Sequence, residues 1–163
     1  MPGLLFVCTA NRFRSPLAQV IFKERLRKTA DAADWRVESA ATWGDANLPA
    51  MPEAIQEARK RNLNLENHRS RSLTPQMMKK FDLILVMEAG HKEALQTEFP
   101  SVKSRIFLLS EVCGGIPFSI PDPYLSGDSP AEVAREIEDL INRKFPLLFQ
   151  WLMSGATKTG SSF

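Results

Sequence analysis

One stretch near the N-terminus joins a buried strand to a helix and constrains the fold more than any other. An apolar run ends at Cys8, and six residues later Arg14 is followed by Ser15 and Pro16. Apolar residues at helical spacing come next. Pro16 suits the first turn of a helix, and Ser15 suits the N-cap before it. We therefore predict a strand, a loop and a helix, with the loop opening onto the helix N-terminus.

This loop has the chemistry of a phosphate site. A helix N-terminus presents unpaired N–H groups and the positive end of the helix dipole, which together favour a dianion. A thiol in that field ionises more readily than a free one, and an arginine fork can hold two phosphate oxygens. Alone, Cys8 would be interpreted as an inert buried residue and Arg14 as a surface residue. Their spacing instead favours a nucleophile and a clamp for phosphoryl transfer.

Composition limits the class of protein. The 163 residues suit one domain, which we place at 1–153, with a disordered tail at 154–163. A net charge of +2 is too small to indicate nucleic acid, and the longest apolar stretch is too short to span a membrane. Two cysteines make no disulfide framework, which favours the cytoplasm. With two histidines and no Cys/His cluster, no metal site is predicted.

The rest of the chain alternates between strands and helices, which predicts an α/β fold with a parallel sheet covered on both faces. Strands are predicted at 4–7, 36–39, 83–87 and 105–109, and helices begin at Pro16, Pro52, Pro75, Lys92 and Pro130. Pro146 is expected to end or kink the last helix. Ligands bind outside the carboxyl edge of such a sheet, so Cys8 and Asp122 can meet there. Asp122 lies between two prolines and by itself suits a turn.

Several segments resemble the low-molecular-weight protein tyrosine phosphatase family, over roughly residues 3 to 150. The first segment is similar to the family signature V-C-x-G-N-x-C-R-S-P, with Ala10 in place of glycine and Phe13 in place of a second cysteine. The matching segments are Val7–Pro16, Ser39–Thr42, His68–Arg71, Phe81–Met87 and Asp122–Tyr124. The resemblance implies a three-layer fold of the phosphotyrosine phosphatase I type, with four parallel strands in the flavodoxin-like order 2-1-3-4.

The resemblance also implies an activity, the hydrolysis of phosphotyrosine or another aryl phosphate through a phosphocysteine on Cys8. Arg14 would hold the phosphate, and Asp122 would protonate the leaving group and then activate water. Inorganic phosphate is the expected product, and no cofactor is needed. The loop itself is expected to bind phosphate through Thr9, Ala10, Asn11, Arg12 and Phe13.

Further roles follow from the same resemblance. Asn11 is expected to form a polar network with Ser15, Ser39 and His68 that holds the loop rigid. Trp43 and Tyr124 are expected to flank the substrate, although Trp43 equally suits a lid packed over the core. Arg12 would favour acidic phosphopeptides or would simply be solvated.

Two other functions are compatible with this pattern. An arsenate reductase of the same fold needs additional cysteines close to the first, and only Cys113 is available. A non-catalytic phosphotyrosine or anion binder would result if Ala10 distorted the loop. The presence of Cys8, Arg14 and Asp122 together favours the enzyme.

Overall fold

Four parallel strands form one sheet at the centre of the protein. The computed structural model describes residues 1–29 and 34–155. Its strands are β1 (Gly3–Cys8), β2 (Arg36–Ala41), β3 (Leu83–Val86) and β4 (Ile106–Leu108). They lie in the order β2-β1-β3-β4, with every neighbouring pair parallel. The predicted parallel sheet and its order 2-1-3-4 are thus confirmed.

Helices cover both faces of this sheet. They are α1 (Arg14–Arg27), α2 (Pro52–Arg59), α3 (Pro75–Lys80), α4 (Ala89–Glu98), α5 (Pro123–Ser126) and α6 (Pro130–Met153), with a 3₁₀ helix at Pro100–Arg105. Proline is the first residue of four of the six described α-helices, where its missing N–H has no cost. Thr74 and Ser129 cap α3 and α6 with their hydroxyl oxygens, as side chains at N-cap positions commonly do.

Alternate residues of β1 enter two separate cores. Leu4 and Phe6 pack with buried residues of α1 and α6 on one face. Leu5 and Val7 pack on the other face with Met78 of α3 and with residues from α4 and the 3₁₀ helix. Since successive side chains of a strand point to opposite faces, this pattern needs a strand that is buried on both sides. It places the carboxyl end of β1 at the middle of the sheet edge.

Two helix starts differ from the prediction, and one helix was not predicted. Helix α1 begins at Arg14 with Phe13 at the N-cap, so Ser15 lies inside the first turn and makes no cap. Helix α4 begins at Ala89, three residues before the predicted Lys92, because the Ser119 hydroxyl accepts a hydrogen bond from the Ala89 N–H at 2.9 Å. The short α5 was not predicted.

Helix α6 continues through Pro146 to Met153, so Pro146 does not end it. Proline removes one helical hydrogen bond, but buried Leu148 and Leu152 pack beyond it in the same core as the first half of the helix. Tertiary packing therefore outweighs the local break.

Two predicted segments lie largely beyond the described residues. These are the connection at 31–34, of which 31–33 are not described, and the tail, of which 156–163 are not described. Within the described ranges, no helix is both long enough and apolar enough to cross a membrane.

Candidate active site

A cavity of about 240 Å³ lies at the carboxyl edge of the sheet, where β1 passes into α1. It brings together Cys8 at the end of β1, Arg14 at the start of α1 and Asp122, which is more than a hundred residues away. Its lining residues are Cys8, Ala10, Arg12, Phe13, Arg14, Met51, Asp122 and Tyr124. Seven of these eight positions were predicted from the sequence, and Met51 was not.

The loop between β1 and α1 has backbone N–H groups available for a ligand. In the described part of the chain, the N–H groups of residues 10–13 donate to no protein acceptor. Asn11 has a φ of 58°, a left-handed conformation that asparagine tolerates better than most residues. Such a reversal turns successive N–H groups toward one concavity that suits an anion. Ala10 has no positive φ, so its methyl group introduces no backbone strain where the family has glycine.

The Cys8 sulfur has a hydroxyl partner. Its Sγ lies 3.0 Å from the Oγ of Ser15. The Asn11 side-chain amide donates to the same Ser15 oxygen at 2.8 Å. Because that oxygen already accepts a hydrogen bond, the Ser15 hydrogen is free to donate to the sulfur. Ser15 is thus both a residue of the first turn of α1 and a hydrogen-bond partner of the Cys8 sulfur.

Asn11 is the centre of a network that holds the loop. Its amide nitrogen also donates to Ser39 Oγ at 2.9 Å, and Ser39 in turn donates to Gln19 Oε1 at 2.6 Å. Its amide oxygen accepts from the Arg71 backbone N–H at 3.1 Å. His68 Nε2 lies 2.7 Å from the Asn11 carbonyl oxygen. Three parts of the fold, α1, β2 and the segment 63–73, therefore position one buried asparagine, which holds the loop rigid before a ligand binds.

Arg14 is buried and has several partners. It is only 2% exposed, and its Nη1 donates to Glu88 Oε2 and to the Ile120 carbonyl, both at 2.8 Å. Its Nη2 lies 3.3 Å from Thr9 Oγ1 and 3.8 Å from Asp122 Oδ2. Nη1 is thereby held by Glu88 and Ile120, whereas Nη2 lies toward Thr9 of the loop and Asp122 of the cavity. A planar fork held in this way is suited to an anion with two oxygens in one plane.

Besides Met51, two further residues of this site were not predicted, Glu88 and His91. His91 Nε2 lies 2.9 Å from Thr9 Oγ1 and 3.2 Å from Glu88 Oε2. Burial lowers the pKa of His91, and the neighbouring Glu88 carboxylate opposes that effect. Glu88 precedes α4 and His91 lies in its first turn, so both come shortly after β3, at the same sheet edge as Cys8. The rule that ligands bind at this edge was the signal that could have identified them.

The short helix α5 positions Asp122 and Tyr124 at the cavity. Asp122 is the N-cap of that helix, and its Oδ1 accepts from the Tyr124 backbone N–H at 3.0 Å. The Tyr124 ring packs edge-on against Phe13, with 5.8 Å between centroids. Its hydroxyl donates to Glu53 Oε2 at 2.6 Å, and burial together with this carboxylate raises the pKa of Tyr124. Two aromatic rings therefore form part of the cavity wall.

The remaining predicted residues lie at or beyond the rim. The Arg12 side chain lines the cavity, and its Nε donates to the Pro49 carbonyl at 2.8 Å. The Trp43 backbone N–H donates to the Thr9 carbonyl at 2.9 Å, but its side chain is 75% exposed and does not line the cavity. This exposure does not fit a lid packed over the core.

The arrangement has the parts needed for phosphoryl transfer. Free loop N–H groups and a fixed guanidinium can bind the oxygens of a phosphate dianion. A thiol lies at the base of the loop, and a carboxyl group lines the same cavity. A nucleophile and a proton donor on one cavity permit a two-step displacement.

Comparisons with known proteins point to the same chemistry. The family model described as low molecular weight phosphotyrosine protein phosphatase matches residues 3–155. A Bacillus subtilis protein-arginine-phosphatase is 30% identical over 86% of this chain and 92% of its own length. The human low molecular weight phosphotyrosine protein phosphatase is 32% identical over 80% of this chain and 84% of its own.

Solved structures agree with these sequence matches. The low molecular weight protein tyrosine phosphatase from T. tengcongensis superimposes with a TM-score of 0.80 and 31% identity, covering 90% of this chain and 99% of that one. The names of these relatives favour neither an arsenate reductase nor a non-catalytic binder. The matched family model covers both the phosphate loop and Asp122. The chain therefore belongs to the low molecular weight phosphotyrosine protein phosphatase family and is a phosphatase.

Proposed function

We propose that this protein hydrolyses phosphotyrosine in proteins, and related aryl phosphates, through a phosphocysteine on Cys8. The observation that carries the proposal is the meeting of Cys8, Arg14 and Asp122 on one cavity. Inorganic phosphate and the free phenol are the products.

In the first step, the Cys8 thiolate attacks phosphorus and forms the S–P bond as the P–O bond to the phenol breaks. The loop N–H groups and Arg14 take up the charge of the three equatorial oxygens. Asp122 enters as the carboxylic acid and gives its proton to the departing phenolate oxygen. The enzyme is left with a phosphocysteine and an Asp122 carboxylate.

In the second step, that carboxylate takes a proton from water as the water oxygen attacks phosphorus. The S–P bond breaks, and the electron pair returns to sulfur. The Ser15 hydroxyl, 3.0 Å away, donates to the departing thiolate and makes it a better leaving group. Asp122 recovers its proton, and phosphate leaves.

Phosphoarginine is the second candidate substrate, because a protein-arginine-phosphatase is among the similar proteins. The rim of this cavity opposes it. Arg12 places a cation there, which repels the guanidinium of phosphoarginine, and the rings of Phe13 and Tyr124 suit a flat phenyl group. Phosphotyrosine is therefore the substrate that we favour.

Two phosphopeptides with the same sequence, one carrying phosphotyrosine and one carrying phosphoarginine, test this choice. We expect kcat/KM to be at least about 10-fold higher for phosphotyrosine, which corresponds to about 1.4 kcal/mol in the transition state. Arg12→Leu should reduce the ratio of the two kcat/KM values, because it removes the cation that repels phosphoarginine. An equal or higher kcat/KM for phosphoarginine would show that the substrate assignment is wrong.

Cys8→Ser should abolish phosphate release from both peptides and from p-nitrophenyl phosphate. Cys113→Ser is the matched control and should retain activity, since Cys113 does not line the cavity. Both cysteines are free in the structure. Because the reaction needs a reduced thiol, we place the protein in the cytoplasm.

A further inference from the structure

A second cleft, with a volume of about 610 Å³, lies beside β2. It shares no lining residue with the active-site cavity. Its walls come from α1, from β2 and from the segment 63–73. We call it the β2 cleft. Its volume falls in the range of small-molecule sites.

The charged side chains that line the β2 cleft are mostly cations. They are Lys23, Arg36, Arg69 and Arg71, and a single carboxylate, Glu38, faces them. Glu38 is bound to Arg71 Nη2 at 2.7 Å. Among the described residues, Lys23 and Arg36 have no acidic partner. The cleft thus carries excess positive charge in a concave site, where the field of several cations is focused.

An aromatic ring forms one wall of the cleft. Trp35 stacks on Phe149 with 5.3 Å between ring centroids and an interplanar angle of 5°, and it is tilted against Phe22. Both contacts belong to the core beneath β2, so the indole is held in place beside the cations. A rigid apolar wall next to separate cations can bind a ligand with both charged and uncharged parts.

We propose that the β2 cleft binds a small molecule that carries two or more adjacent phosphate groups. Its cations come from three different parts of the fold, so a single phosphate can reach only some of them. A chain of phosphates offers several oxygens along the cleft, and each arginine fork can hold two of them. Inorganic polyphosphates and nucleotides share this chemistry.

The cleft is connected to the phosphate loop through shared residues. Ser39 and His68 line the cleft and also bind Asn11. Arg71 Nε donates to the Ser39 carbonyl at 3.2 Å, and the Arg71 backbone N–H donates to the Asn11 side chain. An anion that attracts the Arg71 guanidinium competes with its contact to the Ser39 carbonyl and pulls on the residue whose backbone N–H holds Asn11. Occupancy of the cleft therefore weakens the support of the loop and lowers turnover.

Binding can be measured by NMR on the full chain, with the active site occupied by benzylphosphonate. Each of the three tryptophans gives one indole N–H resonance, which Trp43→Phe and Trp151→Phe assign. We expect tripolyphosphate to shift the Trp35 resonance saturably and to leave that of Trp43 unchanged. Titration with ATP distinguishes a nucleotide ligand from an inorganic polyphosphate. If ATP binds more tightly than tripolyphosphate, its nucleoside contacts Trp35.

The variant Lys23→Glu/Arg36→Glu should weaken this binding by about 10-fold or more, because two attractive charges become repulsive. Lys79→Glu/Lys80→Glu is the matched control, since it changes the same charge on α3, outside the cleft. The proposal is wrong if tripolyphosphate produces no saturable shift, or if both double variants bind equally. It is also wrong if only an acidic peptide, and neither phosphate compound, shifts Trp35.

The link to the active site has its own measurement, which is kcat for p-nitrophenyl phosphate at saturating substrate. Tripolyphosphate should lower kcat of the wild type by about 2-fold or more, the effect of one weakened hydrogen bond. It should have a much smaller effect on Lys23→Glu/Arg36→Glu. An unchanged kcat with the cleft shown to be occupied would refute the link.

Discussion

The imidazole of His91 lies 2.9 Å from the hydroxyl of Thr9, although the two residues are 82 positions apart. Thr9 is the first residue of the phosphate loop, and its hydroxyl oxygen also accepts a hydrogen bond from Arg14 Nη2 at 3.3 Å. Among the described residues, the hydrogen-bond and ion-pair contacts of the His91 ring are with Thr9 and Glu88. We interpret His91 as a positioning residue that fixes the side of the loop nearest Arg14.

Replacing His91 should slow the reaction without abolishing it. His91→Phe keeps a buried ring but removes the contact with Thr9, and we expect kcat/KM to fall about 2- to 10-fold, the range for one net hydrogen bond. His91→Asn, which can still donate, should recover part of the loss. In a double-mutant cycle, the combined loss should be smaller than the sum of the two single losses, because Thr9→Val and His91→Phe both remove the contact between Thr9 and His91. Fully additive losses would contradict this positioning role.

Asp122→Asn should reduce activity in a way that depends on the leaving group. Asparagine also serves as an N-cap, so α5 keeps its cap, but the amide cannot supply a proton. We expect a loss of about 10²- to 10⁴-fold for phenyl phosphate and a much smaller loss for p-nitrophenyl phosphate, whose phenol is more acidic. Asp128→Asn, at an exposed carboxyl group in the same region, is the control. Equal losses of activity on both substrates would contradict the role of Asp122 as the acid that protonates the leaving group.

His68 should make stability depend on pH. Burial lowers its pKa, and the nearby Arg71 and Arg69 lower it further, while the Asn11 carbonyl favours the charged ring. Below about pH 6.5, the unfolded chain takes up a proton that the folded protein does not, so the free energy of unfolding falls as the pH falls. Urea midpoints at pH 7.5 and 5.5 should therefore differ more for the wild type than for His68→Gln. Equal pH dependence in both proteins would contradict this account.

Peroxide should inactivate the protein with poor recovery. A sulfenic acid on Cys8 needs a neighbouring thiolate to trap it as a disulfide, and Phe13 replaces the second loop cysteine of relatives. Cys113 is a poor substitute, since burial raises its pKa to about 11, against the opposing charge of Lys144. We expect dithiothreitol to restore little activity, and Phe13→Cys to make the oxidation reversible.

Cys113→Ser is the control for this experiment and should behave like the wild type. Mass spectrometry after mild oxidation should find sulfinic acid on Cys8. A stoichiometric disulfide between Cys8 and Cys113 would show that the reasoning is wrong.

The chemistry of the phosphate loop and the positions of the strands were predictable from the sequence, whereas the order of the strands was expected from the family resemblance. Apolar runs of four or five residues mark strands buried on both faces, and Thr-Pro and Ser-Pro mark helix starts, because these signals act between residues close in the chain. The spacing of Cys8 and Arg14 is equally local. The meeting of Cys8 with Asp122 was also expected, because every strand of a parallel sheet ends at the same edge.

Other features depend on contacts between distant residues, which no local pattern records. The start of α4 is set by a hydroxyl thirty residues away, and the passage of α6 through Pro146 is set by the core beneath it. Glu88 and His91 became part of the site only when the end of β3 was brought beside Arg14. The β2 cleft likewise gathers its cations from three separate segments. Local sequence determined the strand, the loop and the nucleophile, whereas the tertiary fold decided their supporting partners, because those partners are neighbours only in space.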